Sequence, residues 1–156
     1  MPTIQLDAAI GDRQRVLLDS SVVLAFYAPP EPTYGLASHI LRRIEAGDDG
    51  LRGYISVVTA SEVLVRPLRG QPTEATFMHR FLERFANLTL LPVDLSVAIQ
   101  AATLRAAARL PTPDALIIAS GMLAGCEALL TNDARWKQRL EPLFPRFQWP
   151  YLGDYL

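Results

Sequence analysis

Arg15-Val16-Leu17-Leu18-Asp19-Ser20-Ser21 is the stretch that decides the fold. Three apolar residues in a row, partly β-branched, read as a short buried strand. The run gives out at an acid, and a helix-like segment from Ser20 to Tyr27 follows it, ending at Pro29-Pro30. A strand that leads into a helix through a carboxylate is the opening unit of a parallel α/β sheet. Such a carboxylate lies at the carboxyl edge of the strands, where these sheets bind ligands.

The same unit recurs outward from this stretch. Gly53 to Ser56 reads as a second strand. Val57 to Val65 then looks helical and is expected to stop before Pro67. Leu88 to Pro92 is a third strand, followed by a helix from the cap Asp94 to about Arg109. Ala128 to Thr131 is a fourth, with a short helix after Asp133, and Phe147 to Trp149 is expected as a fifth at the sheet edge. Three helices lie between: Tyr34 to Ala46, Thr73 to Ala86 with Thr73 as N-cap, and Pro113 to about Gly125. Strands alternating with helices imply right-handed βαβ units. The expected fold is a three-layer α/β/α sandwich around a mostly parallel sheet of about five strands.

Bulk properties bound the function. A chain of 156 residues with half its residues hydrophobic supports one domain without staples. We expect a single domain over residues 1–156, in which residues 1–14 form a short polar extension without signal-peptide character. No apolar run approaches the roughly 20 residues of a membrane span. The lone Cys126 excludes an internal disulfide framework and fits a reducing cytoplasm. A net charge of −1 argues against a general nucleic-acid coating protein, though not against a nuclease whose site consumes acids. Lys137 is the only lysine among 15 basic residues, and arginine's planar fork suits phosphate.

Four acids stand where four apolar runs end or their helices begin: Asp19, Glu62, Asp114 and Asp133. Each has an ordinary explanation. Asp19 can cap a helix, Asp114 beside Pro113 suits a helix dipole, and Asn132-Asp133 is common turn chemistry. Glu62 is harder to dismiss, because its neighbours Val57, Val58, Val63, Leu64 and Val65 are apolar and glutamate is rarely buried unpaired. Together at one sheet edge the four would repel each other unless a divalent cation neutralised them. Magnesium is held by a few carboxylates with waters and phosphate oxygens. Metal-assisted phosphodiester cleavage is the chemistry this set suits. Asp94 reads as a plain cap outside the set. His39 and His79 are remote in sequence from all four acids.

The ordered segments Leu18-Asp19-Ser20-Ser21, Ser56-Val57-Val58-Thr59-Ala60-Ser61-Glu62, Pro113-Asp114-Ala115-Leu116-Ile117-Ile118-Ala119 and Leu130-Thr131-Asn132-Asp133 resemble those of PIN domains. In size and spacing the chain is similar to the VapC-type toxins of bacterial toxin–antitoxin pairs. The likeness runs from Arg15 to the end. It implies a metal-dependent endoribonuclease with Asp19, Glu62, Asp114 and Asp133 as the acids that bind Mg2+ or Mn2+. It also implies a supporting role for the Thr131 hydroxyl, with Ser20 and Asn132 as weaker candidates. The resemblance further implies an RNA substrate, a cognate antitoxin and a homodimer. Trp136 stands where an aromatic, often phenylalanine, is usual. The candidate phosphate contacts are Arg66, Arg69, Arg105, Arg109 and Arg135.

Two other enzyme classes fit poorly. An aspartate-nucleophile phosphatase wants a second acid two residues after the first, and that position is Ser21. A dinucleotide enzyme wants Gly-x-Gly-x-x-Gly after the first strand, which is missing. The alternative that stays open is a catalytically silent PIN-like module that binds RNA or protein.

Overall fold

The computed structural model describes residues 1–156. The elements in chain order are α1 (Pro2–Ile10), β1 (Arg15–Leu18), α2 (Ser20–Phe26), α3 (Tyr34–Ala46), β2 (Arg52–Ser56), α4 (Val57–Gly70) and α5 (Pro72–Arg84). They continue with β3 (Leu88–Leu91), α6 (Leu95–Ala108), α7 (Thr112–Leu123), β4 (Ala128–Leu130), α8 (Ala134–Leu140) and a 3-10 turn over Leu152–Tyr155. The four strands pair in the order β3-β2-β1-β4, all parallel. No helix is long and apolar enough to cross a membrane.

The period-two geometry of the central strands divides the core. Val16, Leu18, Ile55, Ala128 and Leu130 point to one face, into a cluster with residues of α1, α2 and α3. Leu17, Tyr54 and Leu129 point to the other, into a cluster with residues of α6, α7 and α8. Both faces are covered, so β1 and β4 are apolar at nearly every position, as expected for buried parallel strands. Gly121 lets α7 lie close on β1. A Cβ there would stand 2.7 Å from Leu17 Cδ2. Strand order reverses at β1, with β2 on one side and β4 on the other. The crevice above the carboxyl ends of β1 and β4 is therefore the switch point where such sheets take ligands.

Four details depart from the sequence reading. The fifth strand does not form as a continuous ladder. Residues 147–151 run parallel beside β4 and make only two isolated bridges, Ala128 with Gln148 and Thr131 with Tyr151. Pro150 explains the break: its carbonyl accepts from Thr131 N at 3.1 Å, but it has no N–H to return to the strand. The helix expected to stop before Pro67 continues to Gly70. Thr59, Val63 and Pro67, spaced by four, share its buried stripe, and this burial outweighs one lost backbone bond. The next helix begins at Pro72, whose fixed φ suits the first turn, so Thr73 is not its cap.

The fourth departure is α1, in the segment read as a polar extension. Leu6 and Ile10, one helical turn apart, are fully buried in the same cluster as Val16 and Leu18. Asp7, on the outer face of α1, pairs with His39 Nε2 at 2.8 Å and accepts from Arg43 Nη1 at 2.6 Å. Two apolar residues were too few to announce a helix by periodicity. Leu6→Ala should cost about 2–4 kcal/mol of unfolding free energy in a denaturant titration, the range for a truncated core leucine. A loss under about 0.5 kcal/mol would show that α1 rests on the surface.

Candidate active site

Asp19 follows β1 directly. Its N–H extends the ladder by donating to Leu130 O at 2.9 Å. Its side chain is 6% exposed and accepts three bonds: from Ser20 N (2.8 Å), Ser21 Oγ (2.7 Å) and Thr131 Oγ1 (2.8 Å). The first of these caps α2, so the capping role weighed for this acid is present. Burial pushes the carboxyl up to about 6 in spite of the Ser21 and Thr131 hydrogen bonds, and the negative charge of Asp114 pushes the same way.

Thr131, fully buried at the end of β4, joins two of the acids. Its hydroxyl donates to Asp19 and accepts from Asp133 N at 2.9 Å. Ser20 joins a third, because its hydroxyl donates to Glu62 Oε2 and lies 3.2 Å from Thr59 Oγ1. Glu62 is exposed on α4, one position before the buried stripe residue Val63. Asp114 is half-buried in the first turn of α7. Its carboxyl is raised, first by burial and further by the charges of Asp133 and Glu62, with Trp136 and Arg135 opposing. Asp133 caps α8 by accepting from Arg135 N. Hydrogen bonds from the Arg135 side chain, with Nη2 at 2.5 Å, hold its carboxyl below the usual range.

Asp114 thus lies within electrostatic reach of Asp19, Glu62 and Asp133. No three acid, histidine or cysteine side chains converge closely enough to hold a metal ion by themselves. The donor chemistry nevertheless fits a hard divalent cation: all donors are oxygen, and two carboxyls hold protons more tightly than usual because burial strips them of water and neighbouring acids add negative charge. Magnesium takes one or two carboxylates and completes its shell with water and phosphate, so an all-protein cage is not required.

Asn132 donates through its backbone N to Ser21 Oγ (2.9 Å) and through Nδ2 to Thr33 Oγ1 (2.9 Å). It fixes the loop after β4 to the α2–α3 side of the site. Ser21, Thr59 and Thr33 were not singled out from the sequence. Only Ser21 carried a signal, since a hydroxyl two residues after an aspartate is a common local hydrogen-bond pattern. Among the arginines, Arg135 is engaged with Asp133. Arg105 and Arg109 are exposed at the end of α6, before the loop leading to Asp114, where Arg105 Nε donates to Leu110 O and Arg139 Nη1 to Arg109 O. Arg66 and Arg69 are exposed on the later turns of α4. His39 is taken by Asp7, and His79 lies exposed 3.5 Å from Glu83.

The Asp19 carboxyl gives a stability signature in metal-free protein. Between its ordinary value of 3.8 and about 6 the folded state holds a proton that the unfolded chain has released. This contribution is complete below the ordinary value and is lost as pH climbs through about 6. The difference in melting temperature between wild type and Asp19→Asn, measured in EDTA, should therefore widen against the wild type from pH 4 to 7. A pH-independent difference would place Asp19 in a solvated setting.

Residues 16–139 match the PIN domain family. No curated protein matches the chain. Among solved structures, VapBC2 from Rickettsia felis bound to a DNA fragment from their promoter aligns at a TM-score of 0.65 with 13% identity. The alignment covers 88% of this chain and 98% of the other. A toxin–antitoxin complex from Klebsiella pneumoniae aligns at 0.59 with 20% identity, covering 85% and 94%. DNA-bound VapBC from Salmonella typhimurium aligns at 0.58 with 19% identity, covering 89% and 98%. At these identities the likeness is one of fold.

Proposed function

The chain belongs to the PIN-domain family, and from that premise we propose that it is a metal-dependent endoribonuclease, the toxin of a toxin–antitoxin pair. The observation that carries this reading is the constellation at the switch point. Asp19, Glu62 and Asp133, from three separate parts of the chain, come within reach of the charge of Asp114 in a fourth, while Thr131 joins Asp19 to the backbone of Asp133 and Ser20 holds Glu62. Asp19, Glu62, Asp114 and Asp133 would hold Mg2+ or Mn2+. The bound ion would supply charge neutralisation at the scissile phosphate and a more acidic water.

The chain's own residues do the rest. Thr131 and Ser21 orient the Asp19 carboxylate, and Ser20 holds Glu62 toward it. Arg105 and Arg109 are placed to meet backbone phosphates approaching α7, and Arg135 can exchange Asp133 for a phosphate oxygen. Hydrolysis by water leaves 5′-phosphate and 3′-hydroxyl ends and makes no use of the 2′-hydroxyl, so preference for RNA rests on shape and single-stranded contacts. The likeness in fold to proteins of VapBC and toxin–antitoxin complexes supports an antitoxin protein as partner. A homodimer and a cytoplasmic setting belong to the same proposal, as does a single domain of which α1 (Pro2–Ile10) is an integral part.

Two features favour a second reading, a silent RNA- or protein-binding module: Arg135 already pairs with Asp133, and no three ligands converge. Purified protein incubated with end-labelled RNA in MgCl2, MnCl2 or EDTA separates the two. Discrete fragments with 5′-phosphate ends in metal only are the expected result. Retained RNA binding without cleavage in either metal would establish the silent module.

A further inference from the structure

Thr33 breaks a local rule. It stands at the N-cap of α3, where a threonine hydroxyl ordinarily accepts from a backbone N–H of the first turn. Here the side chain makes no capping bond, although the residue is only 3% exposed and its carbonyl accepts from Ala37 N at 3.0 Å. The hydroxyl instead accepts from Asn132 Nδ2 at 2.9 Å, a partner 99 positions away in the chain. A helix that gives up its cap bond to a distant side chain answers to a demand set elsewhere, and such local violations gather at functional sites.

The loop that delivers this hydroxyl is stiff. Pro29, Pro30 and Pro32 fix three φ angles within it. Glu31 N donates to Ala28 O and Tyr34 N to Glu31 O, which closes two turns in succession. From Thr33 the hydrogen bonds run without a gap to Asp19. Asn132 Nδ2 is held by Thr33, Asn132 N donates to Ser21 Oγ (2.9 Å), and Ser21 Oγ donates to Asp19 Oδ2 (2.7 Å). Asp133 N, the next amide along, donates to Thr131 Oγ1, whose proton goes to the same Asp19 oxygen. Two consecutive backbone N–H groups therefore aim two hydroxyl protons at Asp19 Oδ2. The Asn132 side chain ties that peptide pair to the loop. We infer that Thr33 is a positioning residue for the site: by holding Asn132 it fixes the Asn132–Asp133 peptides and, through the Ser21 hydroxyl, the Asp19 carboxylate. The Ala28–Thr33 loop is thereby part of the site, although it carries none of the four acids. The inference rests on the reading of Asp19 as a cation ligand.

The test needs no catalysis. Mn2+ affinity of the full chain is measured by calorimetry for wild type, Thr33→Val, Thr33→Ser, Asn132→Ala, the Thr33→Val/Asn132→Ala double variant and Asp19→Asn. Valine keeps the shape of threonine without the hydroxyl, and alanine removes the same hydrogen bond from its other end. Each of these two should weaken Mn2+ binding by about 5-fold, the effect of one lost hydrogen bond. Thr33→Ser should bind as wild type does. The double variant should bind no more weakly than the weaker single, because two residues acting through one bond do not add. A purely structural loosening would move the melting temperature without this pattern in affinity. Losses that multiply to about 25-fold in the double variant, a serine that fails to rescue, or unchanged affinity in Asn132→Ala would each overturn the inference while Asp19 stays a ligand. Asn132 lies outside α3 and its loop, so that variant keeps the test decisive even if Thr33→Val folds poorly. If Asp19→Asn binds Mn2+ as wild type does, the assignment of Asp19 as a ligand falls, and the inference with it.

Discussion

Asp19→Asn is expected to lower metal-dependent RNA cleavage by at least about 10³-fold while raising the melting temperature of the metal-free protein. The first effect follows from charge. A bound cation contributes several kcal/mol of charge stabilisation to phosphodiester cleavage, and its most buried carboxylate is the hardest to replace. The second follows from the same burial. Asp19 is 6% exposed with a carboxyl raised to about 6, so at neutral pH and without metal its ionised form opposes folding. A shift of this size corresponds to roughly 2–3 kcal/mol. Asparagine removes the charge but satisfies fewer of the three donors from Ser20, Ser21 and Thr131, so about half of that should survive. For a chain of this length the gain is roughly 3–6 °C. Cleavage assays and thermal melts in EDTA read the two effects together. An inactive variant that melts lower than wild type would mean the loss came from misfolding, and an active one would remove Asp19 from the chemistry.

Thr131→Val should have the next largest effect. The valine keeps the shape and deletes the hydroxyl, which at present donates to Asp19 and accepts from Asp133 N–H. Both neighbours lose a partner at once: a buried carboxylate loses a donor, and a backbone N–H loses its acceptor. The expected cost is roughly 2–4 kcal/mol of stability in a denaturant titration. Cleavage should fall by about 10–100-fold, because Asp19 is no longer oriented. Thr131→Ser restores the hydroxyl and should recover most of both losses. If serine and valine behave alike, the methyl group's packing rather than the hydrogen bonds holds this corner together.

Much of this arrangement is legible in the sequence. The strand–acid–helix unit at Arg15 to Ser21 and its recurrences placed the sheet, its parallel sense and the edge where the acids lie. That succeeded because a parallel strand buried on both faces must be apolar at nearly every position, and such runs stand out. The boundaries that went astray were governed by long-range burial. Pro67 stays helical because Thr59 and Val63 share its buried stripe. Leu6 and Ile10 are held in a helix because both side chains are buried in the same cluster as Val16 and Leu18. At the sheet edge the reverse holds. The expected strand was undone by a local fact in plain view, the missing N–H of Pro150.

By itself, the sequence determined which residue types could do chemistry here and the order in which they arrive at one sheet edge. Periodicity and strand-end position are local properties, and they are written in consecutive residues. Only the tertiary structure decided how those acids differ. Asp19 and Asp114 are raised by burial while Asp133 is lowered by Arg135. Thr131 joins the Asp19 carboxylate to the backbone N–H of Asp133. Desolvation and hydrogen bonding depend on what the rest of the chain packs around a group. Residues separated by more than a hundred positions, such as Asp19 and Thr131, acquire their roles only when the sheet brings them together.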